Sequence, residues 1–585
     1  MKTKINSLLE QNKPESFVNI GNCAFGRRGS YMAFFPESNF VRVDGSYGRS
    51  KIFLGSLRGA AAMNNDFRLY NINPTYQGEK VPCAIKTTPT ELIFITMYGE
   101  IKICFPEPNL ILVKSDDGLG VQLETKLGIH AVAKPRKDEA WETLFRWVCS
   151  IILKPIKGTL KVDAPWRWEE LSTPRVQADF IPDKNGSLLF AMEEFTYSGY
   201  VRDTYPSYEE GLESVTKDWE EFLGKIAPLP EPYESRREQA AWVLWSHLVD
   251  PSGLIKRPLM YMVRNSVASA WQMCEQAMAL HGDLSLSVEL LLNQFDMANE
   301  IGQIPDFYDD FRGIYHLIKP PLQGFALKWL MKRHDLTEIP KDKLTDLYNG
   351  FSKWADWFFI YRDDDNDGIP QFEHGDEEGC DDTSVYKYNM IMETPSLSSY
   401  LVLLLEAVGD LAKAIGKEEE ADRWYERAKT LLNKMIDTFW NGERFIAMTS
   451  GTHEVVATDS LLYYLPIVLG KRLPDEIINK MAKDLEEENS FMTPYGLASE
   501  KLSSKYFNLA GFANGGILAS LNLLIVVGLD DAGKTSLAKK IAKRFCDGVN
   551  ESGFTIIGDP FGSQFGIWTS WTAGVYLVLA EYCKD

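Results

Sequence analysis

The sequence has no cysteine pair at CxxC spacing, no apolar run near the roughly 20 residues a membrane-spanning helix needs, and no HExxH among its seven histidines. The eight cysteines, Cys23, Cys83, Cys104, Cys149, Cys274, Cys380, Cys546 and Cys583, are scattered through a chain too large to depend on disulfide staples, so they read as reduced thiols. The start, MKTKINSLLEQNKPES, lacks the apolar core and small-residue cleavage site of a signal peptide. A cytoplasmic protein is expected. Basic residues are also short, 62 against 82 acidic, and the net charge of -20 repels phosphate backbones and anionic lipid headgroups. Nucleic-acid and membrane partners are therefore not expected, whereas neutral or cationic ligands remain open.

What is present is an ordinary globular composition, 45% hydrophobic and 25% charged, over 585 residues, more than one core usually supports. Two domains are expected, 1–225 and 226–585. In the first, Leu92 to Met97 and Ile101 to Phe105 flank Tyr98-Gly99-Glu100, and Asn185-Gly186 precedes Leu188 to Phe190, as in hairpins. This half reads as an N-terminal antiparallel β-sandwich that supports a site.

After Ala227-Pro228-Leu229-Pro230-Glu231-Pro232 the period becomes helical. Ser235 and Glu238 have capping-box spacing, and Leu401, Leu404, Leu405, Val408 and then Trp424, Ala428, Leu431, Leu432, Met435, Phe439 fall on helical faces. With no solenoid repeat, an all-α barrel of paired helices is expected. The segments Tyr361 to Tyr386, Phe491 to Phe512 and Gly553 to Trp571 are too long and too rich in Gly, Asp and aromatics to be mere connections, and read as loops lining a funnel.

One of these, DDDNDGIPQFEHGDEEGCDDTSVY from Asp363, concentrates carboxylates around glycine turns. Glycosidic cleavage needs one carboxylic acid to protonate the leaving oxygen and a second carboxylate across the sugar ring, and crowded buried carboxyls keep a proton near neutrality. The plainer reading is a solvated acidic loop. The order Gly368-Ile369-Pro370, His374-Gly375, Gly379-Cys380-Asp381-Asp382-Thr383 resembles the loop of trehalase-like and glucosidase I-like inverting glycosidases of the six-hairpin superfamily, which runs Gly-Leu-Pro, His-Gly, Gly-Trp-Asp-Asn-Ser. The likeness continues in Gly302-Gln303-Ile304-Pro305, Pro320 to Gly324, Glu393-Thr394-Pro395-Ser396-Leu397, Phe439-Trp440 and Tyr495 to Glu500.

The resemblance implies an (α/α)6 barrel, with Asp381 as general acid and Asp382 beside it. The family's catalytic base, the glutamate of Gly-Phe-Ala-Glu, is missing, because Gly553-Phe554-Thr555-Ile556 puts isoleucine there. Its sugar-contacting Trp-Asp stands as Trp271-Gln272, and its Tyr-Trp-Arg-Gly-Pro as Phe512 to Gly516. Three readings follow. Asp559 or Glu500 serves as base; phosphate replaces water, giving an inverting phosphorylase; or the chain only binds sugar. Trp271, Gln272, Gln323, His374, Asp382, Trp568 and Trp571 are the candidate substrate contacts, the tryptophans serving equally well as core. Glu500, before Lys501, reads alternatively as a surface ion pair.

Two motifs are discounted. Gly528 to Thr535 fits a P-loop pattern, but too few residues follow for a nucleotide-binding sheet, and the resemblance makes it a helix, a turn and the next helix. Asp363, Asp365 and Asp367 mimic the opening of an EF-hand loop, but His374 occupies the twelfth position, so they are a candidate structural Ca²⁺ site at most. The expectation is an exo-acting glycosidase cleaving an α-linked glycoside or oligosaccharide by acid-assisted inversion, needing no organic cofactor.

Overall fold

Thr96 and Gly99 face each other across a two-residue turn at Met97-Tyr98, closing the hairpin of strands Leu92–Thr96 and Gly99–Glu107. This is seen in a computed structural model that describes residues 16–36, 52–59, 68–263, 267–562 and 566–584. The leader-free reading of the first 16 residues falls, Ser16 apart, outside the described residues. The chain divides into two units: unit 1 is Met1–Gly224, Trp245–Asp250 and Val263–Ser266, and unit 2 is Lys225–Leu244, Pro251–Met262 and Val267–Asp585.

Unit 1 is an antiparallel β-rich region with, among the described residues, a seven-stranded and an eight-stranded sheet. Strand Arg175–Ile181 alternates exposed or half-buried with buried residues, the period of two that a sheet with one covered face requires. The covered faces meet each other: Phe180 stacks on Phe190 at 3.6 Å between centroids, and Tyr70 meets Phe145 edge-on at 5.4 Å. Helix Tyr208–Leu223 opens with a capping box in which Ser207 Oγ accepts from Glu210 N at 3.2 Å and the Glu210 carboxylate accepts from Ser207 N at 2.8 Å.

The expected box at Ser235 does not form. Helix Glu234–His247 has already begun there, and Ser235 Oγ donates to Pro232 O at 3.1 Å.

Unit 2 is a helical region. Helix Glu418–Phe439 buries Ala421, Trp424, Ala428, Leu431, Met435 and Phe439 along one stripe, and Leu432 sits at the stripe's half-buried edge. Its neighbour Pro395–Ala414 is buried on nearly every side, because helices pack on both its faces. The P-loop-like text is the helix Ala519–Asp531, a turn with Gly533 at φ +78°, and the helix Thr535–Ser552. Gly528 lies inside the first helix, where a Cβ would stand 2.5 Å from the Ile467 carbonyl. With no strand before the glycines, the phosphate-cradling geometry does not arise. No helix among the described residues is long and apolar enough to cross a membrane.

Candidate active site

Helix Lys341–Tyr361 ends at Arg362, and the acidic loop turns back on itself through its own aspartates. Asp363, Asp365 and Asp367 accept from the backbone N–H groups of Gly368 (3.0 Å), Asp367 (3.2 Å) and Ile369 (2.7 Å), the self-bonded turns that short acidic side chains favour. Arg362, buried, pairs with Glu377 at 2.7 Å and with Glu373. His374, exposed, caps the short turn Gly375–Glu378 by accepting from Asp376 N at 3.1 Å. The turn ends at Gly379, whose φ of +71° suits glycine. A Cβ there would stand 2.7 Å from the Trp271 ring. The loop therefore rests directly on that indole.

Asp381 follows at an exposed position, yet its carboxyl is pushed up to about 6. Burial is the largest cause. A hydrogen bond with the Asp376 carboxyl and that group's negative charge add to it, and Lys319 opposes them. Lys319 is almost fully buried, with Nζ 2.7 Å from Asp376, 3.0 Å from Asp306 and 2.9 Å from the Asp376 carbonyl. Asp306 is likewise pushed up to about 6, chiefly by burial. Two carboxyls thus bracket one cation, and Asp381, tied to Asp376, is the exposed carboxyl beside them. Burial raises Glu377 as well, against Arg362, and lifts the enclosed Glu378 to about 7, where it accepts from Tyr386 Oη at 2.8 Å and from Ser396 Oγ.

Side chains after Asp381 bind the other loops. Asp382 accepts from Phe512 N at 2.9 Å and also from Ala513 N. Thr383 Oγ1 lies 3.1 Å from Ser460 Oγ. Ser384 Oγ lies 2.7 Å from Glu500, which also accepts from Ser504 at 2.6 Å. Glu500 is fully enclosed, and burial raises its pKa. The exposed ion pair that its position before Lys501 suggested is replaced by two serine contacts. Gly558 pairs with Ile517, which brings the segment of Ile556 and Asp559 against the segment that Asp382 holds. Ile556 is 41% exposed, and Asp559 accepts from Phe561 N at 2.8 Å.

Trp271, Gln272, Gln323, Trp568 and Trp571 are all buried. Trp271 packs on Trp571 at 5.4 Å, Trp571 on Phe512 at 6.3 Å and Trp568 on Phe554 at 5.1 Å, while Gln323 donates to Gln294 at 2.8 Å. The tryptophans pack under the loops. Sequence reasoning missed Asp306, Lys319, Asp376 and Glu378. Asp376 and Glu378 lay in the quoted acidic loop, but nothing in the text separated a carboxyl aimed at Asp381 from its neighbours. Asp306 and Lys319 carried no signal until the fold brought them in.

A second cluster could hold a cation. Asp363, Asp365 and Asp367 present oxygens within 4.8 Å of one another, and the Asp365 and Glu393 oxygens lie equally close to a ring nitrogen of His453. Glu393 is enclosed, no hydrogen bond of normal geometry reaches either of its oxygens, and burial lifts it to about 7. Its oxygens and the nearby Asp365 and Asp367 carboxylates suit a hard divalent cation.

Residues 317–565 match the mannosylglycerate hydrolase MGH1-like glycoside hydrolase domain. Over that stretch the chain carries a glycoside hydrolase domain. The matched stretch holds Asp381, Asp382, Glu500 and Asp559, but not Trp271, Trp568 or Trp571. Among solved structures, the GH63 mannosylglycerate hydrolase from Thermus thermophilus in complex with glucose aligns at TM-score 0.50 and 16% identity, over 58% of this chain and 98% of that one. Its complex with Tris and D-glycerate aligns at 0.51 and 15%, over 59% and 99%. An uncharacterized conserved protein from the same organism gives 0.51 and 16%, over 59% and 99%. At these identities the structural likeness speaks for the fold. No curated protein matches.

Proposed function

We propose that the protein is an exo-acting, inverting glycoside hydrolase acting on an α-linked glycoside, with 226–585 forming an (α/α)6 barrel and 1–225 a supporting β-sandwich. The observation that carries this reading is Asp381: solvent-facing, yet held protonated up to about pH 6 by burial and by Asp376. A carboxyl in that state can donate a proton to the glycosidic oxygen as the leaving group departs. Asp382 and the residues around Phe512 flank it and, with His374 of the same loop, would orient the sugar.

Inversion needs a second carboxylate, about 6.5 to 9.5 Å from the acid, to activate water on the other face of the ring. Asp559 is better suited than Glu500. Glu500 is enclosed with a serine at each oxygen, an arrangement that holds the acid loop and leaves little room for a water, whereas Asp559 shares its loop with Ile556, the family's base position. The apolar Ile556 also favours phosphate as nucleophile, which needs no protein base. A structural Ca²⁺ on Asp363, Asp365 and Asp367, with Glu393, would brace the loop without entering the chemistry.

The test is hydrolysis of a panel of α- and β-linked glucosides, mannosides and mannosylglycerate, with and without phosphate, followed by proton NMR in the first minutes. Release of the opposite anomer by wild type, lowered at least about a hundredfold in Asp381→Asn, supports the reading. Phosphate-dependent release of a sugar phosphate would assign phosphorolysis instead. Binding without turnover across the panel would make this a sugar-binding protein.

A further inference from the structure

Trp147 is 74% exposed and Trp168 71%, large values for indoles, which proteins normally cover. They lie on two of three loops that meet at one end of unit 1. Leu127 N donates to Pro174 O at 2.9 Å, Thr173 N to Ala131 O at 2.9 Å, and Arg146 Nη1 to Ile129 O at 3.4 Å, so segments 127–131, 146–148 and 164–174 are stitched together. Trp166, Leu171 and Ile129 are exposed on the same loops. Trp147 and Leu171 also stand at φ +67° and +47°, a left-handed backbone that bulky residues avoid at a cost of about 1 kcal/mol or more each. Strained backbone at the exposed Trp147 and Leu171, beside two further exposed indoles, points to a ligand.

The rim indicates which ligand. Arg167 is paired with Glu170 at 3.1 Å and Arg175 with Asp163 at 2.6 Å, the exposed Lys126 and Glu169 offset each other in net charge, and Arg146 lies 4.5 Å over the Trp147 ring. This surface is close to neutral on a chain of net charge -20. An anionic polymer meets that charge at long range, and a second copy brings twenty more negative charges of its own. A neutral polyhydroxylated chain suits it: the C–H faces of sugar rings lie flat on indoles, and hydroxyls accept from Arg146 and reach the Arg167–Glu170 pair.

We propose that Trp147, Trp166 and Trp168 form a surface on unit 1 that binds neutral oligo- or polysaccharide by ring stacking. The choice of sugar as the ligand rests on the glycosidase reading of residues 317–565, whereas the surface itself uses none of them.

The full-length Asp381→Asn variant, which spares the ligand from cleavage, would be run in native gels containing soluble starch, glycogen, galactomannan or mixed-linkage β-glucan. Retardation by at least one polymer is expected. Adding Trp147→Ala or Trp168→Ala should weaken the apparent affinity by about tenfold each, the loss of part of an indole's buried area, while the same changes in wild type leave cleavage of a small aryl glycoside unaltered. No retardation by any polymer, or retardation that ignores both tryptophans, overturns the proposal. So does a dimer in sedimentation that Trp168→Ala converts to monomer, since the surface would then join two copies. Retardation in a protein that cleaves no glycoside would sink the catalytic reading and leave this one standing.

Discussion

Replacing Asp376 by asparagine isolates one of the groups that raise Asp381, the proposed proton donor. In the native loop the Asp376 carboxyl raises Asp381 twice, by its hydrogen bond and by its charge, while Lys319 lowers it and burial supplies the largest upward push. The amide of Asp376→Asn carries no charge and can donate to the Asp381 carboxylate, so both contributions change sign or vanish, and Lys319 keeps its contacts to Asp306 at 3.0 Å and to the main-chain oxygen at position 376 at 2.9 Å. A fall of one unit, from about 6 to about 5, lowers the protonated fraction at pH 7 from about 9% to about 1% and at pH 5 from about 90% to about 50%. The alkaline limb of kcat/KM should therefore move down by about one unit, with roughly tenfold loss at pH 7 and only about twofold at pH 5. The assay is a pH–rate profile between pH 4 and 9 with a substrate found in the panel above, alongside thermal melts to confirm folding. An unmoved limb, or a loss that is uniform across pH, would refute the assignment of Asp376 as the residue that keeps Asp381 protonated.

Other outcomes follow from the same geometry. Gly379→Ala puts a methyl group 2.7 Å from Trp271 on a left-handed backbone, and should cost about 1 to 3 kcal/mol in denaturant unfolding and lower kcat more than it raises KM. Glu378 is fully buried with its folded value raised to about 7 against 4.5 unfolded. It therefore opposes folding increasingly as pH rises from about 4.5 to 7, up to about 3 kcal/mol, and Glu378→Gln should flatten that part of the stability–pH curve. Excess Ca²⁺ should raise the melting temperature of wild type by a few degrees and EGTA should reverse it, while Glu393→Gln should reduce the response; no shift with Ca²⁺ would remove the cation from the site.

Much of the local structure was legible because it is set by nearest neighbours. The period-2 runs, the turn before Gly99 and the stripe from Trp424 to Phe439 each state their element in the text. The capping box was misplaced at Ser235 because spacing alone does not say where a helix begins, and the helix had already started at Glu234. Asp381 could be picked out by the order of residues around it. Its working environment could not, since Asp306 and Lys319 lie 75 and 62 positions upstream and meet Asp376 only through the fold. The burial of Trp271 and Trp571 was equally unreadable, for an indole that stacks on sugar and one that fills a core look the same in a sequence.

The two hydrogen bonds from Phe512 N and Ala513 N to Asp382 join positions 130 and 131 residues apart. The immediate neighbour of Asp381, the proposed proton donor, is thus fastened to a distant loop by backbone groups, which no side-chain substitution on that loop can remove. A designer wishing to transplant the acid loop into another helical scaffold would have to carry residues 510–514 along with it. Conversely, inserting or deleting one residue near Phe512 should be felt at Asp381 even where the composition of both loops is untouched.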